Sequence, residues 1–148
     1  MPTRSGITRV NDIMSSAPKH VFTSTTIEQL LELFDRHDFN AFPVTNAANE
    51  LVGIVTKVDL LRALRPREVR DARAGTRPPR MSVGEIMRAG VISVDAEAPI
   101  DVAADAMVET GLRSIPVVLN RDGRSELVGM VSRGDVIRGF RLALHDAG

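Results

Sequence analysis

The 148-residue sequence contains no cysteine, no tryptophan and no tyrosine, and aromatic residues make up only 3% of it. The absence of cysteine excludes disulfides and thiolate metal sites, and it suits a reducing compartment. No stretch approaches the roughly 18 apolar residues of a membrane-spanning helix, and the opening "MPTRSGITRV" lacks the apolar core of a signal peptide. We therefore expect a soluble, cytoplasmic protein with no membrane partner.

The formal net charge is zero, because 19 basic residues balance 19 acidic ones. Nucleic acid is not an expected partner, since sequence-independent binding relies on a strong positive field. The three histidines, His20, His37 and His145, are far apart and form no metal-ligand spacing, and no serine lies in a nucleophile elbow. The sequence therefore predicts no metal site and no enzyme. Hydrophobic residues make up 43%, which is enough for a core made mainly of aliphatic side chains.

The sequence does contain an internal repeat. "ELVGIVTKVDLLRAL" at 50–64 returns as "ELVGMVSRGDVIRGF" at 126–140, with seven of fifteen positions identical. The offset between the halves is 73 up to a Pro-Val strand and 76 after it, because the connection that follows this strand is three residues longer in the second half. A duplicated structural unit follows from this pattern. Two further pairs share the offset of 73, namely "DIM" at 12–14 with "EIM" at 85–87, and "FPV" at 42–44 with "IPV" at 115–117.

Each half predicts the order β-α-β-β-α. An extended segment precedes an amphipathic helix, which begins behind Thr26 in the first half, with Gln29 completing a capping box, and near Pro99 in the second half, with Gly111 at its end. Two strands and a closing helix follow. The predicted extended segments are Lys19–Phe22, Phe42–Thr45 and Leu51–Val55, then Val91–Val94, Ile115–Leu119 and Leu127–Val131.

The predicted organisation is an N-terminal tail (1–7), a first repeat (8–65), an Arg/Pro-rich linker (66–80), a second repeat (81–141) and a C-terminal tail (142–148). A half of about 55 residues buries little alone, so we expect an α+β fold in which the two sheets pack face to face about a pseudo-twofold axis. The linker predicts a solvated connection or, alternatively, a docking surface for an anion, a partner or nucleic acid. Phe140, Leu142 and Leu144 extend the last helix and either support a homodimer or pack within the chain.

A hydroxyl followed three residues later by an aspartate begins the closing helix of each half: Thr56 with Asp59, and Ser132 with Asp135. These pairs can cap their own helices. They can also bind a ligand, because a carboxylate accepts two hydrogen bonds from a cis-diol and helix N-terminal amides favour a phosphate. Three cations lie nearby in sequence: Lys57, Arg113 and Arg133.

Together, "DIM"/"EIM", "FPV"/"IPV" and "LVGIVTKVDLL"/"LVGMVSRGDVI" resemble a tandem pair of cystathionine-β-synthase-type (CBS) domains. The resemblance implies that Thr56 and Ser132 bind a phosphate and that Asp59 and Asp135 accept ribose hydroxyls. It also implies that the backbone before each strand proline reads the adenine edge. The residues concerned in that last role are Ala41, Phe42 and Pro43, and Ser114, Ile115 and Pro116.

The resemblance further implies a stand-alone regulatory module that binds AMP, ADP or ATP in the cleft between repeats and signals, as a homodimer, to a separate effector protein. S-adenosylmethionine and NAD are further candidate ligands. The alternative is a ligand-free dimerisation or protein-interaction module. The first half departs from the family at Lys19 and His20, where His20 is a candidate ligand contact, and at Phe42, which we expect to fill space rather than stack on a base. The set around Ser132 and Asp135 matches better.

Two pairs of residues are predicted to have packing roles and no role in ligand binding. Met14 and Met87 follow an isoleucine at helix-like starts and are predicted to fill core gaps. Gly53 and Gly129, in "LVGIV" and "LVGMV", belong to no phosphate-binding loop and are predicted to be close-packed strand positions.

Overall fold

The structure, a computed structural model, describes residues 8–65 and 80–147, with only the backbone of 146–147. The first half contains a 3₁₀ turn (Val10–Asp12), β1 (Ser15–Ser16), β2 (Val21–Phe22), α1 (Ile27–Arg36), β3 (Ala41–Thr45), β4 (Leu51–Thr56) and α2 (Lys57–Leu64). The second contains α3 (Val83–Ile86), β5 (Val94–Asp95), α4 (Ile100–Thr110), β6 (Ser114–Arg121), β7 (Arg124–Ser132) and α5 (Arg133–Ala147). The α+β class and the order β-α-β-β-α in each half are confirmed. The predicted tail 1–7 and nearly all of the linker lie outside the described residues.

The helix caps predicted from the sequence are present in the structure. At the start of α1, the Thr26 hydroxyl accepts the Gln29 amide at 3.1 Å, and the Gln29 side chain accepts the Thr26 amide at 3.0 Å. At the end of α4, Gly111 adopts the left-handed conformation (φ 75°), which an L side chain rarely adopts. None of the described helices is long and apolar enough to cross a lipid bilayer.

The predicted strands differ from the structure at their ends. The two opening strands begin later than predicted, at Val21 and Val94, because parallel pairing with β3 and β6 begins there. β6 and β7 are longer than predicted, since their ladder continues out to the pair Arg121 and Arg124. Asp122 and Gly123, with φ of 51° and 77°, form the two-residue turn between them, and positive φ at both positions matches the twist of a hairpin.

The chain forms two compact units that do not follow the repeats. Unit 1 combines the leading segment up to Pro18 with Ile92–Gly148, and unit 2 is Lys19–Val91. In unit 1 the sheet order is β1-β7-β6-β5, and in unit 2 it is β2-β3-β4. The segment that leads each repeat in sequence therefore packs on the other repeat.

Equivalent contacts hold the two leading segments. In unit 1, Ser15 pairs with Met130 of β7. In unit 2, Arg88 pairs with Ile54 of β4, and the two backbones exchange hydrogen bonds of 2.9 and 2.8 Å. Ser15 and Arg88 are 73 positions apart, so they are the same position of the repeat.

Close approach of these segments explains the two strand glycines. A Cβ placed on Gly129 would lie 2.5 Å from Met14 Sδ and 2.7 Å from the Ser15 carbonyl oxygen. A Cβ on Gly53 would lie 2.5 Å from Met87 Sδ and 2.9 Å from the Arg88 carbonyl oxygen. The structure supports both predictions of packing roles, since each methionine lies over a glycine and packs against the buried core of its unit.

Each unit has its own aliphatic core. In unit 1 it consists of Val10, Ile13, Val94, Ala96, Ile100, Ala103, Met107, Ile115, Val117, Val131 and Val136. In unit 2 it consists of Val21, Ile27, Leu30, Phe42, Val44, Val55, Leu60 and Val83. Val10 and Val83, from the leading segments, are fully buried in the core of the unit they join. Burial of each valine side chain stabilises the fold by about 1.5–3 kcal/mol. The exchanged segments therefore contribute to the stability of both units.

Candidate functional site

In unit 2, the predicted hydroxyl and aspartate meet where β4 ends and α2 begins. The Asp59 amide donates to Thr56 Oγ1 at 3.1 Å, and the Thr56 amide donates to Asp59 Oδ2 at 2.9 Å. This reciprocal capping box satisfies two amides at the start of α2. We call Thr56, Asp59, Ala41 and Lys57 the Asp59 site.

Unit 1 has the same arrangement where β7 ends and α5 begins. The Asp135 amide donates to Ser132 Oγ at 3.2 Å, and the Ser132 amide donates to Asp135 Oδ2 at 2.8 Å. In both boxes the hydroxyl accepts an amide, and among the described residues the Ser132 hydroxyl donates to none, so its proton is available to a ligand. We call Ser132, Asp135, Ser114 and Arg113 the Asp135 site.

The second carboxylate oxygen distinguishes the two sites. Asp59 Oδ1 accepts Arg88 Nε at 3.1 Å and Arg62 Nη1 at 3.5 Å, and the Asp59 side chain is 2% exposed. Among the described residues, Asp135 Oδ1 accepts only Arg138 Nη1, at 3.1 Å, and its side chain is 15% exposed. Arg62 and Arg138 are equivalent in the repeat, whereas Arg88 has Ser15 as its counterpart.

The surroundings of Asp59 favour its ionised form. Burial raises the pKa of this carboxyl, but the hydrogen bonds from Thr56 and Arg88 and the positive charge of Arg88 outweigh burial and hold the pKa below its usual value. Asp59 is therefore a buried carboxylate that is already paired.

The start of the preceding strand lies beside each box. Ser114 pairs with Ser132, and Ala41 pairs with Thr56. The Arg133 amide donates to the Arg113 carbonyl oxygen at 3.0 Å, which brings the backbone before the strand proline next to the helix start. The counterpart of this bond in unit 2 joins the Lys57 amide to the Asn40 carbonyl oxygen, also at 3.0 Å.

The three candidate cations differ in availability. Arg133 folds back onto the end of α4, where its Nη2 donates to the Gly111 carbonyl oxygen at 2.6 Å and its Nε to that of Leu112 at 3.2 Å. Lys57 Nζ lies 6.0 Å from the centre of the Phe34 ring. The exposed Arg113 side chain has no hydrogen bond or ion pair within the part of the chain that the structure describes.

The structure places the Phe42 ring in the core of unit 2, where it is 1% exposed and lies 4.9 Å from the Phe34 ring centre. The ring fills space, in accord with the expectation from sequence, and is not available to stack on a base. Pro43, Ile115 and Pro116 are buried too, so these three residues can contact a ligand only through their backbone.

His20 lies apart from the other candidate residues. Its ring packs edge-on against Phe22, with ring centres 5.3 Å apart. It lines a surface pocket together with Phe22, Gln29, Glu32 and Arg36, and none of the hydroxyl or aspartate candidates lines that pocket. No group of three or more potential metal-ligating side chains occurs among the residues described.

Sequence reasoning missed Arg62, Arg88 and Arg138. The first and last could have been found, because each follows its aspartate by three residues, which places both on one helix face. Arg88 carries no such signal, since it lies 29 residues from Asp59 and reaches it only because the leading segments are exchanged.

A duplicated β-α-β-β-α unit with a hydroxyl–aspartate box at each closing helix defines a class of paired-repeat modules. The sequence pattern of the CBS domain matches residues 10–66 and 83–141. The chain belongs to the CBS domain family.

Relatives with solved structures extend over most of the chain. CBSX2 from Arabidopsis thaliana in complex with AMP is 31% identical, with a TM-score of 0.70, covering 90% of this chain and 96% of that one. The CBS domain pair of protein MJ0100, in complex with 5'-methylthioadenosine and S-adenosyl-L-methionine, is 30% identical, with a TM-score of 0.65, covering 91% and 97%.

A curated relative is longer. L-aspartate semialdehyde sulfurtransferase of Methanocaldococcus jannaschii is 29% identical over 139 residues, which is 94% of this chain and 24% of the sulfurtransferase. The chain therefore spans about a quarter of that protein.

Proposed function

We propose that the chain is a regulatory module that binds an adenine nucleotide at the Asp135 site and passes its occupancy to a separate effector protein. The observation that carries the proposal is the geometry at the start of α5. The Asp135 side chain, which is 15% exposed, and the Ser132 hydroxyl lie at one helix N-terminus, and the backbone of the exposed Arg113 is hydrogen-bonded to the same helix start.

Asp135 Oδ1 is the proposed acceptor for the ribose hydroxyls. Oδ2 already accepts the Ser132 amide, which fixes the orientation of the carboxylate. The partner of Oδ1, Arg138, is 58% exposed, and an ion pair with so exposed an arginine contributes about 1 kcal/mol or less. A cis-diol can therefore share or replace that contact at small cost.

The phosphate would lie at the N-terminus of α5, a fifteen-residue helix whose dipole favours an anion. The Ser132 hydroxyl has one proton to donate, and Arg113 supplies a positive charge beside it. Arg133 would contribute only after leaving the α4 carbonyl oxygens.

The relatives support an adenosine compound as the ligand. Two of the related solved structures are complexes, one with AMP and the other with 5'-methylthioadenosine and S-adenosylmethionine. These three compounds share adenosine and only AMP carries a phosphate. We place AMP, ADP and ATP first because the backbone of Arg113 bonds to the start of α5, so its exposed side chain can supply a positive charge near the proposed phosphate position.

The test is a thermal-melt panel with AMP, ADP, ATP, S-adenosylmethionine and NAD. A compound at a hundred times its Kd should stabilise the fold by about 2.7 kcal/mol and raise Tm by several degrees. Asp135→Ala should weaken binding at least about a hundredfold, because two hydrogen bonds to a charged acceptor are lost. The rise in Tm should then vanish.

Thr26→Ala is the matched control. It removes a capping box of the same chemistry from α1, at a cost of about 1 kcal/mol, and it should leave the ligand-dependent rise intact. If no compound raises Tm, or if Asp135→Ala keeps the full rise, the proposed site is wrong.

One observation favours a second candidate, a ligand-free dimerisation or protein-interaction module. Both hydroxyl–aspartate pairs form complete capping boxes, which gives all four side chains a structural role without a ligand. This candidate predicts that Asp135→Ala costs only about 1 kcal/mol of stability and changes no binding.

We also propose that the chain forms a homodimer through the exposed apolar side chains of α5. Ile137 is 68% exposed and Leu144 is 75% exposed. Light scattering coupled to size exclusion should show twice the chain mass, and Ile137→Lys should shift it towards the monomer. Val108→Lys, at a still more exposed apolar position of α4, is the control, and a monomeric wild type would contradict the proposal.

A further inference from the structure

We propose that Arg88 closes the Asp59 site to adenosine ligands, so that the chain binds one nucleotide, at the Asp135 site, although its sequence carries two motifs. The inference rests on the proposed function, because it concerns which of two equivalent positions takes the ligand. It makes Arg88 a residue that determines stoichiometry.

The contact uses the atom that a ribose would need. Asp59 Oδ2 is engaged by the Thr56 amide, which leaves Oδ1 as the acceptor for a ligand. Arg88 Nε donates to this oxygen at 3.1 Å, with Arg62 Nη1 at 3.5 Å beside it. The Asp59 side chain is only 2% exposed, so a diol cannot reach Oδ1 while Arg88 is in place.

The backbone holds Arg88 in this position. Arg88 exchanges two hydrogen bonds with Ile54, and the preceding Met87 lies against Gly53, where no Cβ would fit. The Arg88 backbone is thus fixed on the edge of β4. Its side chain needs no rearrangement of the chain to reach Asp59.

The equivalent position in unit 1 carries a serine. Ser15 pairs with Met130 as Arg88 pairs with Ile54, so the two backbones present their side chains from the same place. A serine side chain is too short to extend to the aspartate and carries no charge. Asp135 retains 15% exposure of its side chain, against 2% for Asp59.

A ligand would have to compete with an internal, charged donor. Arg88 is 58% exposed, so its ion pair by itself weakens a competing ligand only about fivefold or less, and the enclosure of the Asp59 side chain, which is 2% exposed, supplies the rest of the barrier. The ligand gains only the difference between its contacts and those of Arg88. The lowered pKa of Asp59 keeps the carboxylate ionised at neutral pH, which maintains the contact.

The experiment is isothermal titration calorimetry with AMP and with S-adenosylmethionine on the full chain. The wild type should bind one molecule per chain. Arg88→Ser, which copies the residue of unit 1, should bind two. Ser15→Arg, which copies the residue of unit 2, should bind none or bind at least tenfold more weakly. Circular dichroism melts should show that both variants fold. Ser15 is exposed, so an arginine can be accommodated there, and Ser15→Arg tests the inference independently of Arg88→Ser.

The outcomes separate this inference from the proposed function. One site in the wild type and still one in Arg88→Ser leaves the proposed function standing and overturns the inference. No site in the wild type and one in Arg88→Ser supports the closure of the Asp59 site by Arg88 and rejects binding at the Asp135 site. Two sites in the wild type, no binding by either protein, or a Ser15→Arg variant that binds like the wild type, overturns the inference.

Discussion

Asp59 and Asp135 occupy the same position of a duplicated sequence, cap equivalent helices with equivalent hydroxyls, and yet differ in what reaches their second carboxylate oxygen. Asp59 is enclosed by Arg88, whereas Asp135 faces only the exposed Arg138 among the described residues. The segment that completes each site comes from the other repeat, and those segments differ. A repeated motif therefore does not imply a repeated site.

The two units also differ in the residue before the strand that lies beside each aspartate. This residue is Arg113 in unit 1 and Asn40 in unit 2, although the carbonyl oxygens of both accept a hydrogen bond from the amide at the same helix position. Unit 1 thus combines the more exposed aspartate with the additional cation. Equivalent substitutions in the two units should therefore have unequal effects, the largest of them at the strand glycines.

Alanine at either strand glycine should destabilise its unit by about 2–3 kcal/mol, because a Cβ has no room against backbone. Gly129→Ala should cost more than Gly53→Ala, since the nearest carbonyl oxygen would be 2.7 Å away in unit 1 and 2.9 Å away in unit 2. Urea unfolding of both variants measures the difference. Equal stability of Gly129→Ala and the wild type would contradict the close approach of the leading segment.

Removing each aspartate should affect stability unequally. Asp135→Ala should cost about 1 kcal/mol, the value of a lost cap. Asp59→Ala should cost about 2 kcal/mol, because it also removes the acceptor of Arg88. Chemical denaturation gives both values, with Thr26→Ala as the reference for a cap alone. A larger cost for Asp135→Ala would reverse the comparison.

A buried hydroxyl distinguishes the two cores. Thr45 Oγ1 is fully buried and finds no hydrogen-bond partner among the residues described, whereas Val118 stands at the same position of the other sheet. Thr45→Val should therefore stabilise the protein by about 1 kcal/mol, and Val118→Thr should destabilise it by about the same amount. Thermal melts at one pH suffice, and a loss of stability in Thr45→Val would show that the hydroxyl has a partner.

Acid should weaken unit 2 through Asp59. The pKa of Asp59 is depressed in the folded protein, so its contribution is present above the unfolded value of about 3.9 and is lost as pH falls through the folded pKa. Arg88→Ser should raise this pKa and lower stability by about 0.5 kcal/mol at neutral pH, because Arg88 itself is 58% exposed. The deficit should shrink below about pH 4. Carbon-13 NMR of the Asp59 carboxyl gives the pKa directly, and an unchanged titration in the variant would show that Arg88 does not pair with it in solution.

Much of the local structure could be predicted because its causes are local. The box of Thr26 with Gln29, the left-handed Gly111 and the turn at Asp122 each depend on residues within a few positions. The two hydroxyl–aspartate pairs were placed correctly at helix starts for the same reason. The opening strand of the second half was misplaced, because a two-residue strand is defined by its pairing partner more than by its own residues.

By itself the sequence determined the α+β class, the duplication, the capped helices and the identity of both candidate aspartates. Only the tertiary structure decided that each leading segment packs on the other repeat, and hence that Arg88 meets Asp59 while Ser15 stands at the corresponding place in unit 1. The physical reason is that periodicity and capping report contacts within about four residues. The contact of Arg88 with Asp59 spans 29 residues and depends on which sheet edge buries Val83 and Met87.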